Sequence, residues 1–223
     1  MKKLILIISL LVASSTSFAT DFQTWIPINL NVKFNEHLRG FLEVQPRLGE
    51  NSSHLKTLVV RPALGYAFND NWTAWVGYLA QATDSTLNDD NYSVENRVWQ
   101  GITYKTKLND KADIIEVRNR FEERFISQQS DVSLRWRTRI RGEHIFGDSA
   151  FSIIASEELF ANVNETKGIQ SGLDQNRAYI GVGYRFSPEV QLELGYLQQH
   201  VFGHIGKHDA NNNVLASNIN LNF

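Results

Sequence analysis

Two runs of strictly alternating side chains within residues 114–143 constrain the fold more than any other feature of this chain. One parity is charged in both runs, and the other parity is mostly apolar. The charged positions are Glu116, Arg118, Arg120, Glu122 and Arg124 in the first run, and Arg135, Arg137, Arg139, Arg141 and Glu143 in the second. Successive side chains on a strand point to opposite faces, so the pattern predicts a β-hairpin with one ionic and one apolar face. A helix would scatter these charges around its circumference, so the strand interpretation is favoured.

This hairpin, taken alone, fits two architectures. A soluble β-sandwich would turn the charged face to water and the apolar face to its core. A membrane barrel would turn the apolar face to lipid and the charged face into its lumen. The rest of the chain favours the barrel.

Residues 1–19 have the features of a secretory signal peptide. Lys2 and Lys3 supply the positive start, and residues 4–12 form a mostly apolar run. Ala19 ends a small-x-small cleavage site, so we expect cleavage after it. A retained N-terminal anchor is the alternative, but the apolar run is too short to span a bilayer as a helix.

The remaining chain, residues 20–223, is expected to form one domain. It contains no cysteine, so an exported protein of this sequence must be stabilised without disulfides. No stretch after residue 19 approaches the ~20 apolar residues of a membrane helix, which excludes a helical membrane protein but not a barrel. Removal of Lys2 and Lys3 leaves 20 basic against 24 acidic residues, and the resulting charge of −4 gives no case for nucleic-acid binding.

Strand candidates recur along the whole chain at intervals of roughly 15–20 residues, and we count eleven of them. Short turns between them alternate with longer polar loops. The short turns are at 35–37, 69–71, 108–110, 145–148 and 187–189, and the longer loops are at 49–54, 82–91, 127–131, 163–172 and 201–213. Short periplasmic turns and longer external loops are typical of outer-membrane barrels.

The ends of the strand candidates carry aromatic residues that suit the two interfaces of a membrane. They are Tyr66, Phe68, Trp72, Tyr78, Tyr104, Tyr184, Phe186 and Tyr196. The chain also ends in an alternating strand with a terminal Phe223, which resembles the C-terminal strand of bacterial outer-membrane barrels. We therefore predict an all-β fold: a single antiparallel up-and-down transmembrane β-barrel of ten to twelve strands, with short periplasmic turns and longer external loops.

The odd count conflicts with the even strand numbers of bacterial single-chain barrels. Three explanations are open. Strand one is not a full wall strand, residues 20–25 contain a further strand, or one hairpin is miscounted.

In this barrel the ionic faces point into the lumen. The predicted lumen network comprises Arg61, Glu95, Arg97, Glu116, Arg118, Arg120, Glu122, Arg124, Arg135, Arg137, Arg139, Glu158 and Arg177. Arg39, Glu43, Arg47, Arg141, Arg185 and Glu193 fall on the same predicted face. One interpretation is a set of mutually neutralising salt bridges that fills a narrow barrel. The other is a small pore favouring anions, because its walls are rich in arginine.

No motif in the chain predicts catalysis. There is no G-x-S-x-G nucleophile element. His200, His204 and His208 would share a helical face, but Gly203 and Gly206 argue against a helix, so a polar loop is favoured over a metal site. We expect no cofactor and no metal.

Several motifs resemble an uncharacterised bacterial outer-membrane family of unknown function, DUF2490, over nearly the whole mature chain. They are Trp25, residues 61–66 (RPALGY), residues 77–78 (GY), residues 95–97 (ENR) with 99–100 (WQ), residues 118–124 (RNRFEER), residues 135–137 (RWR), residues 158–160 (ELF), residues 174–177 (DQNR) and residues 195–196 (GY). The family usually has Gln-Arg where this chain has Glu123-Arg124. The resemblance implies a barrel in the outer membrane and no established activity. It also implies a common internal network of Arg61, Glu95, Arg97, Arg120, Glu122, Arg124, Arg137, Glu158 and Arg177.

These observations together predict a barrel in the outer membrane of a Gram-negative bacterium, of structural or small channel type, without enzymatic activity. The alternatives are an outer-membrane enzyme that modifies lipids and a soluble periplasmic β-protein that binds a ligand inside. The expected partners are outer-membrane lipid and small solutes in the lumen, with no nucleic acid. The sequence leaves the solute and the oligomeric state open.

Overall fold

The computed structural model describes residues 21–84, 92–108, 113–203 and 208–223. The predicted signal peptide, most of the loop at 82–91, two residues of the turn at 108–110 and His204 lie outside the described residues. The described residues form twelve strands: β1 (Asp21–Trp25), β2 (Ile28–Lys33), β3 (Leu38–Gly49), β4 (His54–Ala67), β5 (Trp72–Asp84), β6 (Tyr92–Lys107), β7 (Asp113–Ile126), β8 (Ser133–Ile145), β9 (Phe151–Asn162), β10 (Gly172–Arg185), β11 (Val190–Val201) and β12 (Ala210–Asn222). Within the part of the chain so described, no helix has the length and apolar character needed to cross a membrane.

The strands form one closed barrel in which each strand from β2 to β12 pairs antiparallel with the next. The short strands β1 and β2 occupy a single wall position, because both lie between β3 and β12. Pro27 stands between them and has no N–H to give to the ladder, which explains the interruption. The wall therefore has eleven positions, which agrees with the eleven strand candidates and with the predicted all-β barrel of ten to twelve strands. Residues 21–25 are a strand, but this strand extends the first wall position and adds no new one.

The closing contact of the barrel is parallel, and it is the exception to the predicted antiparallel order. An odd number of up-and-down strands makes the first and last strands run in the same direction. The sequence Ile-Asn-Leu-Asn occurs at 28–31 in β2 and again at 219–222 in β12. The two copies pair in register, so that each residue lies opposite an identical residue. Side-chain amides bridge the two strands at Asn29 and Asn220 (Nδ2 to Oδ1, 3.1 Å), as in the amide ladders of stacked identical strands.

The outside of the barrel is apolar and the inside is ionic. Outward side chains such as Leu64, Val76 and Leu194 are more than half exposed. Inward side chains such as Glu122 and Arg137 are buried. This arrangement is the reverse of a soluble sandwich with a solvated charged face, so the faces of the hairpin β7–β8 lie as the barrel interpretation requires.

Aromatic side chains form an outward band at the rim that carries the short turns. Neighbouring rings contact one another in this band, with centroids 5.4 Å apart for Tyr66 and Phe68, 4.7 Å for Trp72 and Tyr104, and 4.8 Å for Phe151 and Tyr184. All of these six residues except Phe151 belong to the strand-end aromatic residues that the sequence predicts for a membrane interface.

Glycines on the inner wall make room for large aromatic residues of neighbouring strands. A Cβ at Gly77 would lie 2.7 Å from the carbonyl oxygen of Pro62 and closer still to the Trp99 ring. A Cβ at Gly195 would lie 2.6 Å from the Tyr179 ring. Trp99 and Tyr179 each belong to a small buried apolar cluster, so two apolar clusters accompany the ionic interior.

Candidate functional site

The centre of the interior is the carboxylate of Glu122 in β7, which is fully buried. Arg135 donates to it from Nη2 (2.8 Å) and Nε (3.1 Å), and Arg137 donates from Nη1 (2.6 Å). The Nη1 atom of Arg97 lies 3.5 Å away and that of Arg120 lies 4.0 Å away. Four guanidinium groups from β6, β7 and β8 therefore surround one carboxylate. This geometry follows from alternation, because all five side chains occupy inward positions on neighbouring strands.

Arg137 links this centre to a second carboxylate. Its Nη1 binds Glu122 and its Nη2 binds Glu158 of β9 at 3.0 Å. Glu158 also accepts a hydrogen bond from Arg118 Nη2 at 2.9 Å. A planar guanidinium with several fixed donors suits this bridging role, which lysine could not fill with the same geometry.

The network continues towards the rim of the longer loops. Glu95 accepts hydrogen bonds from Arg97 Nε (2.7 Å) and Arg124 Nε (2.6 Å). Arg135 donates to Asp174 at 3.2 Å. These contacts lie between Glu122 and the rim of the longer loops.

Separate ion pairs lie towards the rim of the short turns. Arg61 pairs with Glu43, Arg139 pairs with Glu116, and Arg141 binds Glu193 at 2.8 Å.

The structure places all thirteen predicted network residues on the inner face. Twelve of them take part in ion pairs within 4.0 Å. Arg177 is the exception among the described residues, since it contacts rings and donates only to the amide oxygen of Gln175 at 3.1 Å.

The predicted lumen network does not include the inward aromatic residues that accompany the arginines. The guanidinium of Arg120 lies 3.9 Å from the centroid of the Trp99 ring, and Arg137 and Arg177 each lie 4.5 Å from the Phe160 ring. Cation–π contacts of this kind favour a desolvated guanidinium. Strand parity is the signal that could have found these residues, because Trp99 and Phe160 share parity with Arg97 and Glu158.

A cavity of about 620 Å³ occupies the part of the interior nearer the short turns. Its wall at the rim includes Lys33, Asp70 and Phe223, and its deep end includes Arg120 and Arg177. The residues that line the cavity do not extend past this deep end. Glu95, Arg97, Glu122, Arg124 and Arg135 lie beyond it and do not line it. We call this cavity the chamber.

The described residues contain no group of three or more His, Cys, Asp or Glu side chains placed to hold a metal ion. His200 instead hydrogen-bonds to the side chain of Asn211 at 2.8 Å and lies 3.2 Å from Asp209. What the interior offers chemically is a set of fixed hydrogen-bond donors with positive charge.

Fold and interior thus define the class of this protein, a β-barrel with an apolar outside and an ionic, arginine-rich inside. The chain belongs to a family of proteins of unknown function, DUF2490, whose family model matches residues 22–211. An uncharacterized protein of Methylorubrum extorquens strain AM1 is 33% identical to it over 183 residues, which cover 80% of this chain and 78% of that protein. The family resemblance drawn from the sequence motifs is therefore confirmed.

Proposed function

We propose that this chain is an outer-membrane β-barrel of a Gram-negative bacterium, without enzymatic activity, whose interior is closed by the Arg/Glu network around Glu122. The observation that carries the proposal is the inversion of the usual surface, with apolar side chains exposed all around the wall and charged side chains buried inside. Soluble monomers rarely expose a contiguous apolar patch larger than a few hundred Å². Lipid is therefore the partner that best suits this outer face.

The aromatic band supports an orientation for the barrel. Aromatic rings are favoured at the level of the lipid headgroups, and outer-membrane barrels have their short turns on the periplasmic side. The band of Tyr66, Trp72 and Tyr184 would then lie at the periplasmic interface. The predicted signal peptide at residues 1–19 supplies the export that such a location requires.

A closed interior is favoured over a pore by the packing at Glu122. This side chain has no exposed surface, and its surrounding arginines are held by hydrogen bonds of 2.6–3.1 Å. A continuous water path would need these contacts to separate. A small anion-selective pore is the second candidate function, because arginine outnumbers the acidic residues along the chamber.

Fractionation of cells that express the full chain tests the membrane location. We expect the protein in the outer-membrane fraction, with faster gel migration before heating than after it. Recovery in the soluble periplasm would contradict the location and favour the soluble ligand-binding alternative.

Planar-bilayer recording with the purified barrel tests the closed interior. We expect no regular current steps, whereas a general porin prepared in the same detergent gives them. Regular steps with a reversal potential that indicates anion selectivity would support the pore instead.

Mass spectrometry of outer-membrane lipids tests the absence of enzymatic activity. We expect the same lipid species in a deletion strain and in its parent. A lipid that changes in the deletion strain and is restored by the intact gene would support a lipid-modifying enzyme.

A further inference from the structure

Three arginines that line the chamber lack a close carboxylate partner. They are Arg47 of β3, Arg120 of β7 and Arg177 of β10. Among the described residues, Arg47 and Arg177 form no ion pair within 4.0 Å, and the carboxylate nearest to Arg120 lies at 4.0 Å, too far for a hydrogen bond. Most other arginines of the interior have at least one short contact with a carboxylate.

Arg47 and Arg177 both contact the same aromatic ring. Their guanidinium carbons lie 4.1 Å and 4.9 Å from the centroid of the same ring, that of Trp25 in β1. Each donates to a glutamine oxygen two residues away in its own strand, Gln45 at 2.7 Å and Gln175 at 3.1 Å. Their Nε atoms are buried and have no acceptor. Two like charges, each on a side chain that is only partly buried, are thus placed near each other.

Arg120 is more enclosed than the other two. Its side chain is 4% exposed, and its Nε and Nη1 atoms are buried without an acceptor. The ring of Trp99 covers one face of the guanidinium at 3.9 Å. Its nearest carboxylate, that of Glu122, is shared with three other arginines, so the charge of Arg120 adds to the positive potential that an anion in the chamber would meet.

The net charge of the residues that line the chamber also favours a bound anion. Eleven Lys or Arg side chains line it, against six Asp or Glu side chains. The excess of positive charge is enough for a ligand that carries more than one negative charge. A phosphate monoester carries about −1.5 to −2 at neutral pH and presents three oxygens to guanidinium donors.

The chamber is also larger than a single phosphate group requires. Its volume of about 620 Å³ lies within the range of small-molecule sites. Its wall also includes the amides of Asn29, Asn218 and Asn220 and the ring of Trp75. A wall that contains both amides, which donate and accept hydrogen bonds, and an aromatic ring suits a hydroxylated ligand.

We propose that the chamber binds a small phosphorylated, hydroxyl-bearing molecule of the sugar-phosphate type, with the phosphate held by Arg47 and Arg177 and favoured by the nearby charge of the chamber's other arginines. This inference goes beyond the proposed barrel function and rests on it only for the side from which the ligand enters. The ligand would enter at the short-turn rim, where the chamber opens.

Calorimetric titration of the purified full chain in detergent at low salt tests the proposal, with glucose 6-phosphate, inorganic phosphate and glucose as probes. We expect binding of glucose 6-phosphate, weaker binding of phosphate, and no binding of glucose. The substitution Arg177→Gln should weaken the binding of glucose 6-phosphate about tenfold or more, because hydrogen bonds to a charged group are lost. Arg47→Gln should act in the same direction and serves if Arg177→Gln does not fold.

Arg39→Gln is the matched control. Arg39 also lines the chamber but lies half-buried at the rim, where it donates to the backbone oxygen of Glu36 at 2.9 Å. Its loss removes the same charge and should change the affinity far less. An equal loss of affinity with Arg39→Gln would overturn the site, because general attraction would then explain the binding. Equal affinity for phosphate and glucose 6-phosphate would show that the hydroxyl groups contribute nothing to binding, and would refute a ligand of the sugar-phosphate type.

The outcomes separate this inference from the proposed function. Protein that is found in the outer membrane and binds none of the probes leaves the barrel function standing and refutes the anion site. Protein that binds glucose 6-phosphate but is recovered in the soluble periplasm supports the anion site and refutes the outer-membrane function.

Discussion

Glu122→Gln is the substitution that best tests how the interior is stabilised. The change keeps the size of the side chain and removes one charge. Arg135 and Arg137 then lose a charged acceptor at 2.6–3.1 Å, and Arg97 loses the counter-charge at 3.5 Å. Removal of one partner from a buried ion pair costs about 3–5 kcal/mol, and the lower end of this range applies here because Arg97, Arg135 and Arg137 keep a second carboxylate partner each. We expect the free energy of unfolding to fall by about this amount.

Urea unfolding of the barrel in lipid vesicles, followed by tryptophan fluorescence, measures this change. Glu123→Gln is the control, since Glu123 is the next residue, points outwards and forms no ion pair within 4.0 Å among the described residues. It should change the free energy of unfolding by less than about 0.5 kcal/mol. If Glu122→Gln and Glu123→Gln unfold alike, the network contributes no net stability and the reasoning fails.

Two further predictions concern the wall. Gly77→Ala should lower the free energy of unfolding by about 1–3 kcal/mol, because the new methyl group meets the Trp99 ring, whereas Gly142→Ala has open space around it and should cost much less in the same urea assay. Asn31→Cys combined with Asn222→Cys should form an intramolecular disulfide on oxidation, because these residues face each other across the parallel closure and the chain has no other cysteine. A shift in non-reducing gel migration detects this crosslink, and its absence from the folded barrel would contradict the parallel pairing.

Strand alternation predicted most of the wall, because parity alone decides which side chains face inwards. It placed the charged residues of β7 and β8 inside and gave the number of wall positions. It could not predict which arginine meets which carboxylate. Those pairings depend on the register between neighbouring strands and on the tilt of the barrel, as in the bridge from Arg137 to Glu122 and Glu158.

The parallel closure has a signal in the sequence, but this signal is not local. The repeat at 28–31 and 219–222 joins residues 191 positions apart, and local periodicity carries no information on such a contact. The predicted loop at 201–213 is wrong at its end, because residues 210–213 begin the last strand at Ala210. Their partners in β11 and β1 supply the ladder that their composition does not suggest.

The parallel closure has a consequence for protein engineering. In a barrel with an even number of strands the first and last strands begin and end at one rim, so a short linker can join the termini. Here Asp21 is level with Asn212 and the loop beyond it, whereas Phe223 hydrogen-bonds to Asn31 near the opposite rim. The strand from residue 21 to residue 33 spans roughly 40 Å at about 3.3 Å per residue. A linker that joins residue 21 to residue 223 would therefore have to cross the full height of the wall.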